Sequence, residues 1–282
     1  DLVFRSFINP KDEVILPEPS YVCYRPLIEL CDGVPVSINT FSTQFIPTYD
    51  QIKSNITSKT KAIILSYPNN PTGQSMEFDE LQKIAALALD KNILIITDEI
   101  YADLSFKKYK SIATIKNIKN NLIYLNGFSK GHSMTGWRVG YVCANEIFIE
   151  SMNKIHQYSS LCAPTLSQYA AIEACKNSSI EVEQMKTSYK NRATYFTKMM
   201  NEVGLKTIMP QGGLYCFSSI ESLNMSSLAF AEQLLKQLQV AVVPGNVFGQ
   251  GGEGYFRSCI ATDFDDLKLA AERIQQFVKN HE

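Results

Sequence analysis

The 282-residue sequence predicts an α/β protein in which a mostly parallel central sheet carries helices on both faces, followed by a smaller C-terminal α+β domain. Three observations predict it. Short β-branched runs are apolar at consecutive positions, as strands covered on both faces are. A helical repeat is interleaved with them, which is how parallel strands are connected. Beyond Asn145 the pattern turns mostly helical with only scattered strands, so the boundary is placed near residue 175, with a large unit over 1–175 and a small one over 176–282.

In chain order, strands are expected at Glu13–Leu16, Pro35–Ile38, Lys61–Ser66, Ile93–Thr97, Leu122–Leu125 and Val139–Cys143, each bounded by turn residues. Between the third and fourth, Phe78–Lys91 places Leu81, Ile84, Ala85, Ala88 and Leu89 at helical spacing. Helices are expected at Ile147–Tyr158, Thr165–Cys175 and Ser179–Val203. After the break Pro210-Gln211-Gly212-Gly213 come an apolar run at Leu214–Ser218 and a helix at Ser227–Gln237. Strands at Val240–Val243 and Tyr255–Ile260 and a helix at Asp265–Asn280 complete the chain. No internal repeat or low-complexity segment interrupts it.

Composition narrows the function classes. Lys+Arg 27 against Asp+Glu 28 gives a net charge of −1, which offers no electrostatic footprint for nucleic acid or an anionic membrane. The seven cysteines are odd in number and scattered, the usage of reduced thiols in a cytoplasmic protein, and no C-x-x-C pair or spaced histidine set suggests a metal site. Apolar runs are far shorter than the ~20 residues a membrane-spanning helix needs. The amino terminus, Asp1-Leu2-Val3-Phe4-Arg5, has no initiator Met and no signal-peptide pattern, and reads as a chain joined partway through a domain.

Ligands of open α/β sheets sit beyond the carboxyl ends of the strands, and three runs end in polar clusters. Ala62–Leu65 leads to Ser66-Tyr67-Pro68-Asn69-Asn70-Pro71-Thr72-Gly73, which is also what a capped turn looks like. Ile93–Thr97 leads to Asp98-Glu99-Ile100-Tyr101; an acid at the end of a buried strand either caps the local backbone or faces a cationic ligand group. Leu122–Leu125 leads to Asn126-Gly127-Phe128-Ser129-Lys130, with Gly136-Trp137-Arg138-Val139-Gly140 beyond it. A lysine in such a place is usually a solvated surface residue. In a crevice beside another cation its amine becomes a nucleophile able to form an imine, and Ser129 and Arg138 would supply a hydroxyl and a planar fork for a phosphate. Amine, carboxylate, phenol, amide and phosphate-binding pair together suit an aldehyde cofactor with a ring nitrogen, a phenolic oxygen and a phosphate.

These residues resemble the class I aminotransferases of the fold type I that aspartate aminotransferase shares. Gly127–Gly140 is similar to the family's lysine-attachment pattern, Asn70–Gly73 to its Asn-Pro-Thr-Gly and Asp98–Tyr101 to its Asp-x-x-Tyr. Asn9–Val14, Pro244–Gly249 and Tyr255-Phe256-Arg257 extend the likeness over essentially the whole chain. The resemblance implies pyridoxal phosphate as cofactor, held as a Schiff base on Lys130, which then shuttles the proton. It implies that Asp98 pairs with the ring nitrogen, that Tyr101 and Asn70 hydrogen-bond the phenolic oxygen, and that Ser129 and Arg138 bind the phosphate. Arg257 would take the substrate α-carboxylate, Asn70 would also contact substrate, and Tyr21 would stack on the ring, although an aromatic after Pro-Ser is equally a packing residue. Trp137 is left as packing. Gly127 stands where many relatives have a phosphate-binding Ser, and the family carries a further segment ahead of the point matching Asp1, with a phosphate loop and contacts to a partner subunit.

The expected activity is transfer of an amino group from an amino acid to a 2-oxo acid by a cytoplasmic homodimer that engages neither nucleic acid nor membrane. Two rivals share the motifs: a carbon–sulfur lyase on the same fold, and a non-catalytic cofactor-sensing domain of a regulator.

Overall fold

A computed structural model describes residues 1–281. The elements run in chain order as α1 (Leu2–Phe7), β1 (Glu13–Glu18), α2 (Tyr24–Glu29), β2 (Val34–Asn39), α3 (Tyr49–Ser54), β3 (Thr60–Ser66), α4 (Phe78–Lys91), β4 (Leu94–Asp98), β5 (Leu122–Gly127), β6 (Gly140–Ala144), α5 (Glu146–Ser159), α6 (Thr165–Asn177), α7 (Ser179–Glu202), β7 (Tyr215–Ser219), α8 (Ser227–Leu238), β8 (Val243–Pro244), β9 (Tyr255–Cys259) and α9 (Phe264–Lys279). Six strands form one sheet in the order β2-β1-β3-β4-β5-β6, parallel throughout except for β6, which runs against β5. β7, β9 and β8 form a second, antiparallel sheet. The predicted fold class is what the chain adopts.

The central strands behave as their composition demands. Successive side chains of β3 point to opposite faces, so Ile63 and Leu65 join one core cluster while Ala62 and Ile64 join another. The first cluster is closed by α4, whose buried face presents Leu81, Ile84, Ala85 and Ala88. The second is closed by α1, α2 and α5 through Phe4, Ile28 and Met152. Two-sided cover fails at the sheet edges: β2 is largely exposed or half-buried, and Gly140, Tyr141 and Cys143 of β6 are exposed, because each edge strand has a neighbour on one side only.

Strand register is what positions the polar ends. Ser66 of β3 is level with Asp98 of β4, and Asp98 with Leu125 of β5. Parallel strands in step bring their carboxyl ends, and the polar loops after them, to the same side of the sheet.

The C-terminal part has its own core, in which Phe196, Phe230, Phe256 and Phe277 are fully buried between α7, α8, α9 and the small sheet. The strand expected at Val240–Val243 is a correction. Only Val243–Pro244 pair with β9. Val240 is instead buried in the core from the segment that leads back from α8 to the sheet, and Pro244, lacking an N–H, cannot extend the ladder. The short helices α1, α2 and α3 were not expected, being too brief to show a periodic face.

Phe256 packs on Phe230 at 4.7 Å between ring centroids and is followed directly by Arg257. Truncating so enclosed an aromatic typically costs about 3–5 kcal/mol. Urea unfolding of Phe256→Ala should show a loss of that order; a loss under about 1 kcal/mol would mean that this core can collapse around the gap.

Candidate active site

The three aligned strand ends form the floor of a cavity of about 550 Å³, and all eight residues singled out in the sequence line it: Tyr21, Asn70, Asp98, Tyr101, Ser129, Lys130, Arg138 and Arg257. They come from separate stretches of chain, with Arg257 contributed by β9 of the small sheet.

Which asparagine caps the loop after β3 is settled by geometry. Asn69 makes the turn, its Oδ1 accepting from the Thr72 N–H at 3.3 Å and hydroxyl at 3.1 Å. Asn70 is thereby released to the pocket, where its Oδ1 accepts from the Arg257 guanidinium at 2.8 Å. The loop is clasped from the other side, because the N–H groups of Gln211 and Gly212 both donate to the Gly73 carbonyl. A Cβ on Gly73, whose φ is +67°, would meet Pro210 Cβ at 2.4 Å, so the turn requires glycine in both space and conformation.

Asp98 caps the local backbone and also accepts from a phenol. Its Oδ1 accepts from the Ile100 N–H at 3.1 Å, a local cap, while Oδ2 accepts from the Tyr24 hydroxyl at 2.7 Å. Burial pushes its carboxyl above the usual carboxylate range, with the Tyr24 and Ile100 hydrogen bonds pulling the other way. Burial likewise raises the Tyr24 phenol, and the facing Asp98 carboxylate adds to it. The next residue, Glu99, points elsewhere and accepts from Ser111.

Tyr101 is 4% exposed, and its hydroxyl lies 3.4 Å from that of Tyr215. Desolvation, helped by Tyr215, lifts its phenol far above the ordinary tyrosine value, so it stays a hydrogen-bond donor at any working pH. Lys130 and Ser129 are half-buried in the turn after β5. Arg138, exposed and held in the left-handed region at φ +53°, is anchored by donation to the Thr135 carbonyl at 2.9 Å. Gly127, the departure from the family's serine, lies opposite Gly140 on β6, and a Cβ there would meet Gly140 Cα at 3.0 Å. A side chain at 127 would therefore be tight against β6.

Arg257 is sandwiched, its guanidinium carbon 4.2 Å from the Tyr215 ring centroid and 5.0 Å from that of Phe248. Its Nε is buried and has no partner among the described residues. Tyr21 is 40% exposed and meets Tyr24 edge-on at 5.5 Å, so it lines the cavity and is not core packing. Trp137, 47% exposed, is less buried than a packing role implies. The sequence motifs missed Tyr24 and Tyr215, the two phenols that hold Asp98 and Arg257.

A carboxyl raised by burial destabilises the fold once ionised, so its effect is absent below pH ~4 and develops as pH rises through its folded value. The ligand-free Asp98→Asn protein should therefore melt at least about 2 °C above the parent at pH 7, with the difference shrinking as pH falls through the carboxylate range. A variant less stable at pH 7 would show that Tyr24 and Ile100 already compensate the charge.

Residues 1–274 match the family model described as aminotransferase class I and II. Among curated relatives, an aspartate aminotransferase of Bacillus sp. (strain YM-2) is 40% identical over 287 residues, spanning 98% of this chain and 73% of that protein. Aromatic-amino-acid aminotransferase 2 of Thermococcus litoralis is 37% identical over 279 residues, spanning 97% and 72%. The crystal structure of an aromatic aminotransferase from Pyrococcus horikoshii OT3 superposes with a TM-score of 0.95 at 37% identity, covering 99% of this chain and 76% of that one. In sequence and in fold, this chain belongs to the class I and II aminotransferases.

Proposed function

We propose that the cavity holds pyridoxal phosphate on Lys130 and that this aminotransferase uses it to move an amino group from an amino acid to a 2-oxo acid. The observation that carries the reading is the convergence, in one cavity, of a single amine, one half-buried carboxylate and two guanidinium groups from distant parts of the chain. The residues present fit the cofactor. Asp98 is a desolvated acid with no cationic partner among the described residues, as a ring nitrogen would supply, and Arg257 offers an unsatisfied buried N–H.

When bound, pyridoxal phosphate supplies an aldehyde that captures an amine and a ring that draws electrons from the α-carbon. In this reading Lys130 would hold the aldehyde until the substrate's amine displaced it, which would free Nζ to take the α-proton and return it. Asp98, held in place by Tyr24, would keep the ring nitrogen protonated. Tyr101 and Asn70 direct their polar groups at the phenolic oxygen, and Ser129 and Arg138 bind the phosphate. Arg257 takes the α-carboxylate on the N–H edge left free by its two aromatic neighbours, with Asn70 fixing the guanidinium plane. Tyr21, at the exposed side of the cavity, covers the ring.

We assign a homodimer on the exposed apolar side chains of α5, α6 and the turn between them, where Ile147, Tyr158, Leu161, Leu166 and Tyr169 are each at least two-thirds exposed. A reducing, cytoplasmic setting is supported by seven free cysteines, four of them exposed. No helix among the described residues is long and apolar enough to cross a membrane. The relatives are aminotransferases, which gives the lyase and regulator readings no support.

Incubation of the pyridoxal-phosphate-loaded protein with a ¹⁵N-labelled amino acid and an unlabelled 2-oxo acid should move the label into the amino acid formed from the acceptor. Steady ammonia release in the absence of acceptor would contradict transamination and favour elimination.

A further inference from the structure

Tyr215 touches both halves of the cavity. It opens β7, is 9% exposed, and lies with its ring against the Arg257 guanidinium and its hydroxyl against that of Tyr101. We propose that Tyr215 is a positioning residue with two separable roles: its ring face holds Arg257 for the substrate carboxylate, and its hydroxyl donates to Tyr101 so that the Tyr101 proton points at the cofactor's phenolic oxygen. The inference rests on the reading that pyridoxal phosphate is carried on Lys130.

The backbone leaves Tyr215 little freedom. β7 is paired with β9, placing Tyr215 opposite Cys259, and Ile260 N–H donates to the Leu214 carbonyl at 2.9 Å. On the other side, Gly213 N–H donates to the Leu104 carbonyl at 3.1 Å. A Cβ on Gly212 would meet Pro68 Cγ at 2.7 Å and Ser105 Cα at 3.0 Å, so the strand that delivers Tyr215 lies directly on the loop that carries Tyr101. The two rings consequently meet edge-on at 5.9 Å.

The ring role follows from how a guanidinium is used. Its donors all lie in its plane, so a carboxylate partner would occupy the N–H edge that a substrate needs. An aromatic face holds the cation from above and leaves the edge open. Tyr215 and Phe248 do this, while Asn70 fixes the rotation of the plane through one N–H.

The hydroxyl role follows from counting protons. Each phenol has one donor and can also accept, and each hydroxyl hydrogen rotates to suit its partners. Tyr101 stays neutral because it is buried. In the structure Tyr101 donates to Tyr215 at 3.4 Å, an order that leaves its proton unavailable to a cofactor. With the cofactor's oxygen in reach the opposite order satisfies three oxygens in series, and a hydroxyl that accepts is the stronger donor. A stronger donation to the phenolic oxygen favours its anionic form and lowers the proton affinity of the neighbouring imine.

The test uses the pyridoxal-phosphate-loaded parent, Tyr215→Phe, Tyr215→Leu, Tyr101→Phe and the Tyr101→Phe/Tyr215→Phe double variant. Two readouts are taken: the pH at which the visible imine band titrates, and the dissociation constant of 3-phenylpropanoate, a monocarboxylate without an amine. Tyr215→Phe should raise the imine midpoint by about half a unit to one unit while changing 3-phenylpropanoate affinity by less than about twofold. Tyr215→Leu should raise the midpoint equally and also weaken 3-phenylpropanoate by about threefold to tenfold. In the Tyr101→Phe background, Tyr215→Phe should shift nothing further. The inference is overturned if Tyr215→Phe leaves the midpoint where it was, if the shift persists without the Tyr101 hydroxyl, or if Phe and Leu weaken the carboxylate alike. A parent protein with no titrating band would instead sink the cofactor reading itself, and this inference with it.

Discussion

The Asp98 carboxylate is desolvated but half-buried at the carboxyl end of β4, with no cation to meet it among the described residues, and the cavity is built around that charge. Burial disfavours its charged form, and one phenol and one backbone N–H are the partners that hold it. A fold selected for stability alone would place an apolar residue here, as Leu94, Ile95 and Ile96 earlier in β4 are. A site where local rules are broken in this way is where function is expected. A protonated ring nitrogen would supply the missing charge.

The second constraint is that the cavity is built from two cores that must stay in register. Arg257 belongs to β9, whose neighbour Phe256 is locked among Phe230 and Phe277, whereas Asn70 and Asp98 belong to loops of the large sheet. The contact between them is made by backbone: the Pro210–Gly213 segment lies against Gly73 and Leu104, where glycines allow an approach no side chain would tolerate. Ser20 N–H donates to the Phe248 carbonyl at 3.0 Å, a further tie between the two parts close to Tyr21. Side-chain placement at the level of a single hydrogen bond, as between Arg257 and Asn70, depends on this backbone clasp.

How much of this the sequence discloses depends on what kind of signal each residue leaves. Lys130, Asp98 and Asn70 are legible because apolar runs stop abruptly at polar clusters, and parallel pairing then brings those stops together. Arg257 has no such local mark, and the family resemblance alone singles it out. Tyr24 and Tyr215 leave almost no trace: one sits in a six-residue helix, the other inside an apolar strand, and an aromatic in either place reads as core. The adjacent Asn69 and Asn70 are equivalent in sequence and divide their tasks only in three dimensions. The helix α3 was in fact signalled, since Thr48 and Gln51 form a capping box, whereas Val240–Val243 shows β-branched propensity overruled by the path from α8.

The central claim is that Lys130 is the residue that carries pyridoxal phosphate. Borohydride reduction of the loaded protein, followed by proteolysis and mass mapping of the modified peptide, addresses it directly because reduction fixes the cofactor on whichever amine held it. A single modified lysine, Lys130, is expected, together with loss of the visible band in Lys130→Ala. Label on another lysine, or an unchanged band in Lys130→Ala, would contradict it.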